Sequence, residues 1–414
     1  MPPQWQYDDA ERSPAAVPMA MTTLDHWLLP EGIAELLPDE AWRLEVLRRR
    51  LLDVYRSWGY ELIIPPMVEF LESLLTGTGH DLDLQTFKLT DQLTGRLLGV
   101  RADMTPQAAR IDTHQLKREA PVRLCYLGTV LHTRPDGFTG SRSPMQVGAE
   151  LFGHAGMESD LEILALMLET LRITGVEHVH LDLGHVGIFR NLARQADLTA
   201  EQEDGLFQVL QRKALPEIQT MLDALYLPAR VREQLGSLAG LHGDWEVLDA
   251  ARELLQDAQE SVHAALDNLV AIAIQVKRRW PDLPLYFDLA ELRGYGYQTG
   301  VVFAAFTPGC GEEIARGGRY DQIGEVFGRA RPATGFSADL KTLIALSGRA
   351  APAPREGILA PASDDVALQQ RIAELRATGE IVVMTLPGQT MHAVESRCNR
   401  QLVKRDDAWV VERF

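Results

Sequence analysis

The sequence predicts a mixed α+β fold, and three features of the chain carry that reading. Strand-like runs follow one another between residues 61 and 153, and others resume after 284; between the two sets, the stretch from 186 to about 280 turns helical. A piece rich in glycine, alanine and proline at 347–356 then reads as a linker to a small C-terminal α/β unit, 357–414. At 414 residues the chain can bury a large core and by length holds two or three domains.

Residues 1–26 read as a flexible N-terminal tail. They lack the basic region and apolar core of a secretory signal. From Trp27 to residue 346 the chain reads as one main domain. A helix is expected from about Glu40 to Trp58, because Leu44, Leu47, Leu51, Leu52 and Tyr55 recur at three- and four-residue steps and form one apolar stripe. Gly59 can end it. ELIIPP is a short strand stopped by Pro65 and Pro66, which cannot donate to a ladder. TFKLTD, GRLLGVRA, VRLCYLGTVLH and MQVGAELFG are further strands, followed by an amphipathic helix over 158–174 and the strand HVHLDLG. A helical insertion occupies about 190–280, with Thr199 and Gln202 spaced as a capping box. LPLYFDLA and TGVVFAAF are strands; the glycine-rich segment from Gly317 to Leu346 reads as loop, helix, short strand and closing helix. In the C-terminal unit, GILAPAS, a helix over 365–377 and the strand EIVVMTL are expected, too little to stand without leaning on neighbours.

The formal net charge is 41 minus 58, or −17, which argues against a general nucleic-acid binder. Cys125, Cys310 and Cys398 are far apart and form no CxxC pair, so they read as reduced thiols of a cytoplasmic protein. No apolar run is long enough to span a membrane. P-loop, strand-linked GxGxxG and GxSxG patterns are all missing. His178, His180 and His185 lie close together but lack carboxylate or thiol partners at metal spacing, so no metal or cofactor is expected. GGRYD alone could be a tight turn.

A polar set near strand ends carries more weight: Arg101, Asp103, Thr105, Gln146, Glu150, Arg293 and Tyr297. Glu150 stands inside the apolar frame MQVGAELFG and Arg293 inside ELRGYGY. A charge in such a frame needs a partner or a charged ligand, since desolvating it alone is costly. Internal salt bridges would satisfy these groups. A zwitterionic amino acid would satisfy them too, with anions for its ammonium and a cation for its carboxylate.

GYELIIPPMVEFLESLL, VRADMTPQAAR, LCYLGTVLHTRPDGFTGSRSPMQVGAELFG, LRGYGYQTGVVF and GGRYDQIGEVFGRARPATGFSADLKTL occur in the order found in histidyl-tRNA synthetases, over roughly residues 28–346. This resemblance implies the class II aminoacyl-tRNA synthetase catalytic fold, an antiparallel sheet flanked by helices. GYELIIPPMVE resembles its motif 1, with Pro66 at the dimer-forming position; the second and third motifs resemble 124–153 and GFSADLKTL. By the same resemblance Asp103, Thr105, Gln146, Glu150, Arg293, Tyr297 and Tyr320 surround a histidine ligand. Asp103 replaces a longer glutamate, and Gln298 replaces one of two tyrosines.

The ATP half departs from the family. Leu131 or His132 stands where an arginine grips the α-phosphate, and Thr133 where a glutamate works. Pro144 replaces the ring that stacks on adenine, Thr342 replaces the arginine of motif 3, and Asp339, expected to be buried near the polyphosphate, replaces a glycine. Losing one fixed donor to developing charge typically costs about 3 kcal/mol, so adenylation is expected to be lost. The combination resembles the regulatory subunits of ATP phosphoribosyltransferase. It implies no catalysis by this chain alone, and a short catalytic subunit as partner in the first step of histidine biosynthesis. It further implies L-histidine as effector, homodimers within a hetero-octamer, and no tRNA or membrane partner. The alternative is a histidyl-tRNA synthetase or a tRNA-binding paralogue.

Overall fold

The computed structural model describes residues 27–76, 80–135, 140–291, 297–348, 356–388 and 397–414. The expected tail, most of the 347–356 linker and Arg293 lie outside them.

The first long helix runs Pro38–Ser57 and buries Leu44, Leu47, Leu51 and Tyr55, the stripe that its spacing dictates. Gly59 follows it at φ +85°, a left-handed conformation that glycine adopts without penalty. Tyr55 crosses to a second long helix, Met157–Thr174, where its hydroxyl hydrogen-bonds Thr170 Oγ1 at 2.9 Å. Both helices cover one face of a nine-stranded sheet.

At the centre of that sheet, Val122–Thr129, Met145–Phe152, Ala333–Asp339, Ala315–Arg319, Val301–Phe306 and His180–His185 lie side by side, each antiparallel to its neighbour. Two outer pairings are parallel: Glu61–Leu62 with Val122–Thr129, and His180–His185 with Leu285–Asp288. Period-two alternation divides the side chains. Cys125, Val147, Ala149 and Leu151 enter the large core under the helices, whereas Leu124, Tyr126 and Phe152 enter a second, smaller core. Glu150 belongs by the same alternation to the second face.

TFKLTD and GRLLGVRA do not join this sheet. With Val68–Phe70 they form a separate three-stranded antiparallel sheet. The expected insertion contains the helices Ala200–Gln211, Leu215–Asp223, Ala229–Ser237, Glu246–Leu254 and Glu260–Arg279, and the Thr199/Gln202 capping box is present. It is not wholly helical, since His242–Gly243 pairs with Leu285–Asp288 as the edge strand of the sheet.

The glycine-rich segment departs most from the sequence expectation. Gly317 and Gly318 are not in a loop or tight turn; they lie inside the central strand Ala315–Arg319. A Cβ on Gly317 would fall 2.2 Å from the Gly335 carbonyl oxygen and 2.5 Å from the Phe303 ring, so the bare backbone lets neighbouring strands close over it. The helix expected next is only a three-residue 3₁₀ turn, Glu325–Phe327, and the strand after it spans Ala333–Asp339.

In the C-terminal unit, Gly357–Ala360, Val382–Met384 and the helix Val366–Ala377 match the expected elements. They are completed by an unanticipated hairpin, Cys398–Arg405 and Ala408–Arg413. Ile358, Leu368, Ile372 and Leu402 form a core of the unit's own. Among the described residues, no helix is long and apolar enough to cross a membrane.

Candidate functional site

Glu150 is 1% exposed at the middle of Met145–Phe152. Three hydroxyls meet its carboxylate. Thr105 Oγ1 and Tyr126 OH donate to Oε1 at 3.0 and 2.8 Å, and Tyr320 OH donates to Oε2. No guanidinium or ammonium is among these contacts, so the bond to each hydroxyl substitutes for water but not for a counter-charge. Burial drives the Glu150 carboxyl up to about 8; donation by Tyr320 and Tyr126 pulls the other way, and nearby Asp103 adds to the rise. With these contacts alone, burial favours the protonated form. Tyr126 and Tyr320 are themselves pushed well up, by burial first and then by Glu150, and so remain donors.

The floor under the carboxylate is glycine. Gly335 faces Glu150 across the ladder, and a Cβ there would lie 1.6 Å from Oε2. Beside it Asp103, Thr105 and Gln146 converge through a backbone-anchored network. Asp103 Oδ1 accepts from Thr105 N at 2.9 Å and Gln146 Nε2 at 2.7 Å, while Gln146 Oε1 accepts from Met104 N at 2.9 Å. Tyr297 stands edge-on to Tyr320 with ring centroids 6.2 Å apart, and Tyr320 in turn meets Phe152 at 6.4 Å. The hydroxyl of Tyr297 is pushed up by burial first and then by the charge of Asp103. Of the seven expected site residues, six thus come together; Arg293 lies outside the described residues. Arg101 has a different task. It donates to the carbonyls of Pro65 at 2.7 Å and Thr129 at 3.0 Å, tying the short strand and the central sheet together.

Tyr126 and Gly335 were not singled out from the sequence. The signal for Tyr126 was its place two residues beyond Leu124 on an alternating strand. No such signal existed for Gly335, whose role depends on a register between segments far apart in the chain.

The positions corresponding to a nucleotide half are occupied by the protein's own contacts. His132 Nε2 bonds the Ala102 carbonyl at 2.9 Å, Arg142 Nε donates to the His132 carbonyl at 3.1 Å, and Lys341 Nζ donates to the Ser143 carbonyl at 2.7 Å. Asp339 is not buried as expected. It is half-exposed and caps the helix Leu340–Leu346, accepting from Lys341 N, Thr342 N and Thr342 Oγ1, with Met145 N as a further donor. Of the clustered histidines, His185 is buried, accepts from Gly187 N at 3.1 Å and is driven down to about 4 by desolvation; it is a neutral helix cap. His180 stacks on Phe306.

Residues 32–343 match the family model described as histidyl-tRNA synthetase, and residues 355–412 match that of the ATP phosphoribosyltransferase subunit HisZ C-terminal domain. The ATP phosphoribosyltransferase regulatory subunit of Thioalkalivibrio sulfidiphilus is 63% identical, with 93% of this chain and 97% of that protein covered. Its counterpart in Alkalilimnicola ehrlichii is 59% identical over the same shares. A crystal structure titled as an ATP phosphoribosyltransferase regulatory subunit/histidyl-tRNA synthetase from Bacillus halodurans superposes with a TM-score of 0.78 at 27% identity, covering 89% of this chain and 96% of that one. The histidyl-tRNA synthetase of a Nostoc species shares the fold, with a TM-score of 0.72 at 20% identity and 91% of each chain covered. The fold is that of class II synthetases.

The raised carboxyl has a measurable consequence. An unfolded glutamate titrates near its ordinary value of 4.5, whereas the folded Glu150 keeps its proton up to about 8. Its stabilising contribution is complete below the unfolded value and is lost as pH rises through the folded one. Glu150→Gln, which cannot ionise, should therefore gain on the wild type by several degrees in melting temperature between about pH 5 and about pH 8.5. Paired melts showing a constant difference across that range would contradict the assignment.

Proposed function

We propose, for a chain that belongs to the family of ATP phosphoribosyltransferase regulatory subunits, that it works with a separate short catalytic subunit in the first step of L-histidine biosynthesis and senses histidine for that step. One observation carries the reading: a buried carboxyl met by three hydroxyls lies beside positions where the cations of a nucleotide site are replaced or spent on backbone carbonyls. Among the described residues there, Arg142 and Lys341 both donate to the chain itself. Adenylation needs fixed positive groups where charge develops. On this reading the chain alone catalyses neither histidine adenylation nor phosphoribosyl transfer, and needs no metal, cofactor or tRNA.

L-Histidine is the ligand that fits the retained half. Asp103, Thr105 and Gln146 take its ammonium end, Arg293 its carboxylate, and Glu150 a ring nitrogen, with Tyr297 and Tyr320 walling the ring. A protonated imidazole brings the counter-charge that Glu150 lacks, so binding ionises the carboxyl and forms a charge-assisted hydrogen bond. Glu150 is sealed from water here, so the ligand enters only as hydroxyl contacts rearrange. A pocket that must rearrange to admit histidine has unequal affinity in its two states, which is what feedback requires.

The surface around Pro65 and Pro66 supports a homodimer. Ile64 is 85% exposed, and Leu62, Met67 and Val68 are exposed beside it. This apolar row is the surface a second copy of the chain covers, and such homodimers join the catalytic subunit in a hetero-octamer.

In the assembled complex, Glu150→Gln and Arg293→Ala should raise the histidine concentration for half-inhibition about 10-fold or more while uninhibited turnover persists. Steady-state assays showing unchanged inhibition in both variants would remove this pocket from the mechanism. Light scattering should report a dimer for the wild-type chain and a monomer for Ile64→Glu; a monomeric wild type overturns the proposed interface.

A further inference from the structure

A second cleft, sharing no residue with the set around Glu150, opens between two short and unusual turns. One wall is the π-helical turn Ile111–Leu116, closed by Lys117 in the left-handed conformation at φ +51°. Such turns are rare in proteins and recur at functional sites. The other wall is the 3₁₀ turn Glu325–Phe327, followed by Gly328 at φ +84°. The cavity between them measures about 380 Å³, and Thr113, His114, Lys117, Glu119, Phe327 and Arg329 line it. Arg331 holds both walls in place. It donates to the two Asp112 carboxylate oxygens at 3.0 and 3.1 Å and to the carbonyls of Glu119 and Ala120 at 3.3 and 2.8 Å.

Three groups in this cleft lack what their chemistry calls for. Thr113 is 7% exposed, and among the described residues its hydroxyl has no hydrogen-bond partner. A helical threonine can return that hydroxyl to a carbonyl one turn back, and this one does not. Lys117 is exposed, and its ammonium meets no carboxylate among the described residues. The Arg329 side chain is only 26% exposed, yet its one ion pair among the described residues is with Glu119, at 2.9 Å, whose side chain is 93% exposed. A partner that stays in water holds a drawn-in cation weakly.

We infer that this cleft binds a small phosphate-bearing anion, with Lys117 and Arg329 as its cations, Thr113 as a neutral donor, and Glu119 as the carboxylate that leaves Arg329 when the anion arrives. A phosphate group presents oxygens in several directions, so donors from both walls can each take one. The rings of Phe327 and His114 meet edge to face with centroids 6.0 Å apart and give the rest of the ligand an apolar wall. The volume lies in the range of small-molecule pockets, with room for more than a single phosphate. Two ligands share this chemistry, a diphosphate and a phosphorylated sugar. With a net charge of −17 the chain repels anions at long range, so uptake here depends on these local groups and not on the general field of the protein. The inference stands whether or not Glu150 takes histidine.

Calorimetry on the full-length chain with pyrophosphate and with ribose 5-phosphate tests the site. At least one should bind saturably, one per chain, and the tighter probe identifies the ligand as a diphosphate or a phosphorylated sugar. Lys117→Asn, which keeps a residue that tolerates the left-handed conformation, and Arg329→Gln should each weaken that probe about 10-fold. Thr113→Val should weaken it about 5-fold without lowering the melting temperature, since the hydroxyl removed is unpaired in the free protein. Glu119→Gln should tighten it, because the competing carboxylate is gone. Arg118→Ala removes a neighbouring exposed charge that does not line the cleft and is paired with Glu61; it should change the affinity less than about 2-fold. Should Arg329→Gln fail to fold, the contrast between Lys117→Asn and Arg118→Ala decides. Saturable binding of neither probe overturns the inference. So does binding that survives Lys117→Asn unchanged, or that falls as far in Arg118→Ala, which marks loose attraction to surface charge.

Discussion

A carboxylate carried into the centre of a sheet must be met by donors, and the organisation of this molecule around Glu150 follows from that need. The hydroxyls of Thr105, Tyr126 and Tyr320 come from three separate segments of the chain. They converge only when the central strands hold their register. Gly335 is what lets the carboxylate lie flat, since any side chain there would occupy its position. Neutral donors lower the cost of burial without cancelling it, which is why the carboxyl rises to about 8 instead of falling. Among the described residues the carboxyl's contacts are hydroxyls, with no cation among them.

The neighbouring half of the frame shows the opposite economy. Where a nucleotide-binding relative needs cations free to meet phosphates, Arg142 and Lys341 tie loops to the sheet. Asp339 has become a helix cap, a structural role that satisfies it with local backbone donors. These contacts make that half a brace for the amino-acid half. A class II synthetase frame that keeps one subsite and braces the other suits a regulatory subunit, because sensing needs differential binding and no transition state.

Much of this was legible in the sequence wherever the information was local. The spacing of Leu44, Leu47, Leu51 and Tyr55, the stop at Gly59 and the Thr199/Gln202 cap all act within a few residues, and each appears as the pattern dictates. Glu150 was visible as a charge in an apolar frame. What surrounds it was not, because Tyr126 and Gly335 acquire meaning only through pairing with strands far along the chain. ARGGR was unreadable as a strand for a related reason: glycines have poor strand propensity, and here Phe303 and Gln298 fill the space that side chains would otherwise take. The hairpin Cys398–Arg405 and Ala408–Arg413 is half-exposed, and the unbroken apolar run Ala408–Val411 does not show the alternation that marks a strand.

The central claim is that one half of an activation site survives as a sensor while the other no longer handles nucleotide. Equilibrium dialysis of the purified chain against labelled L-histidine and labelled ATP, followed by histidine-dependent exchange of pyrophosphate into ATP, tests both halves at once. The account predicts saturable histidine binding that Glu150→Gln weakens about 10-fold or more, ATP retention no greater than background with or without histidine, and no exchange. Histidine-dependent pyrophosphate exchange by the chain alone would contradict it.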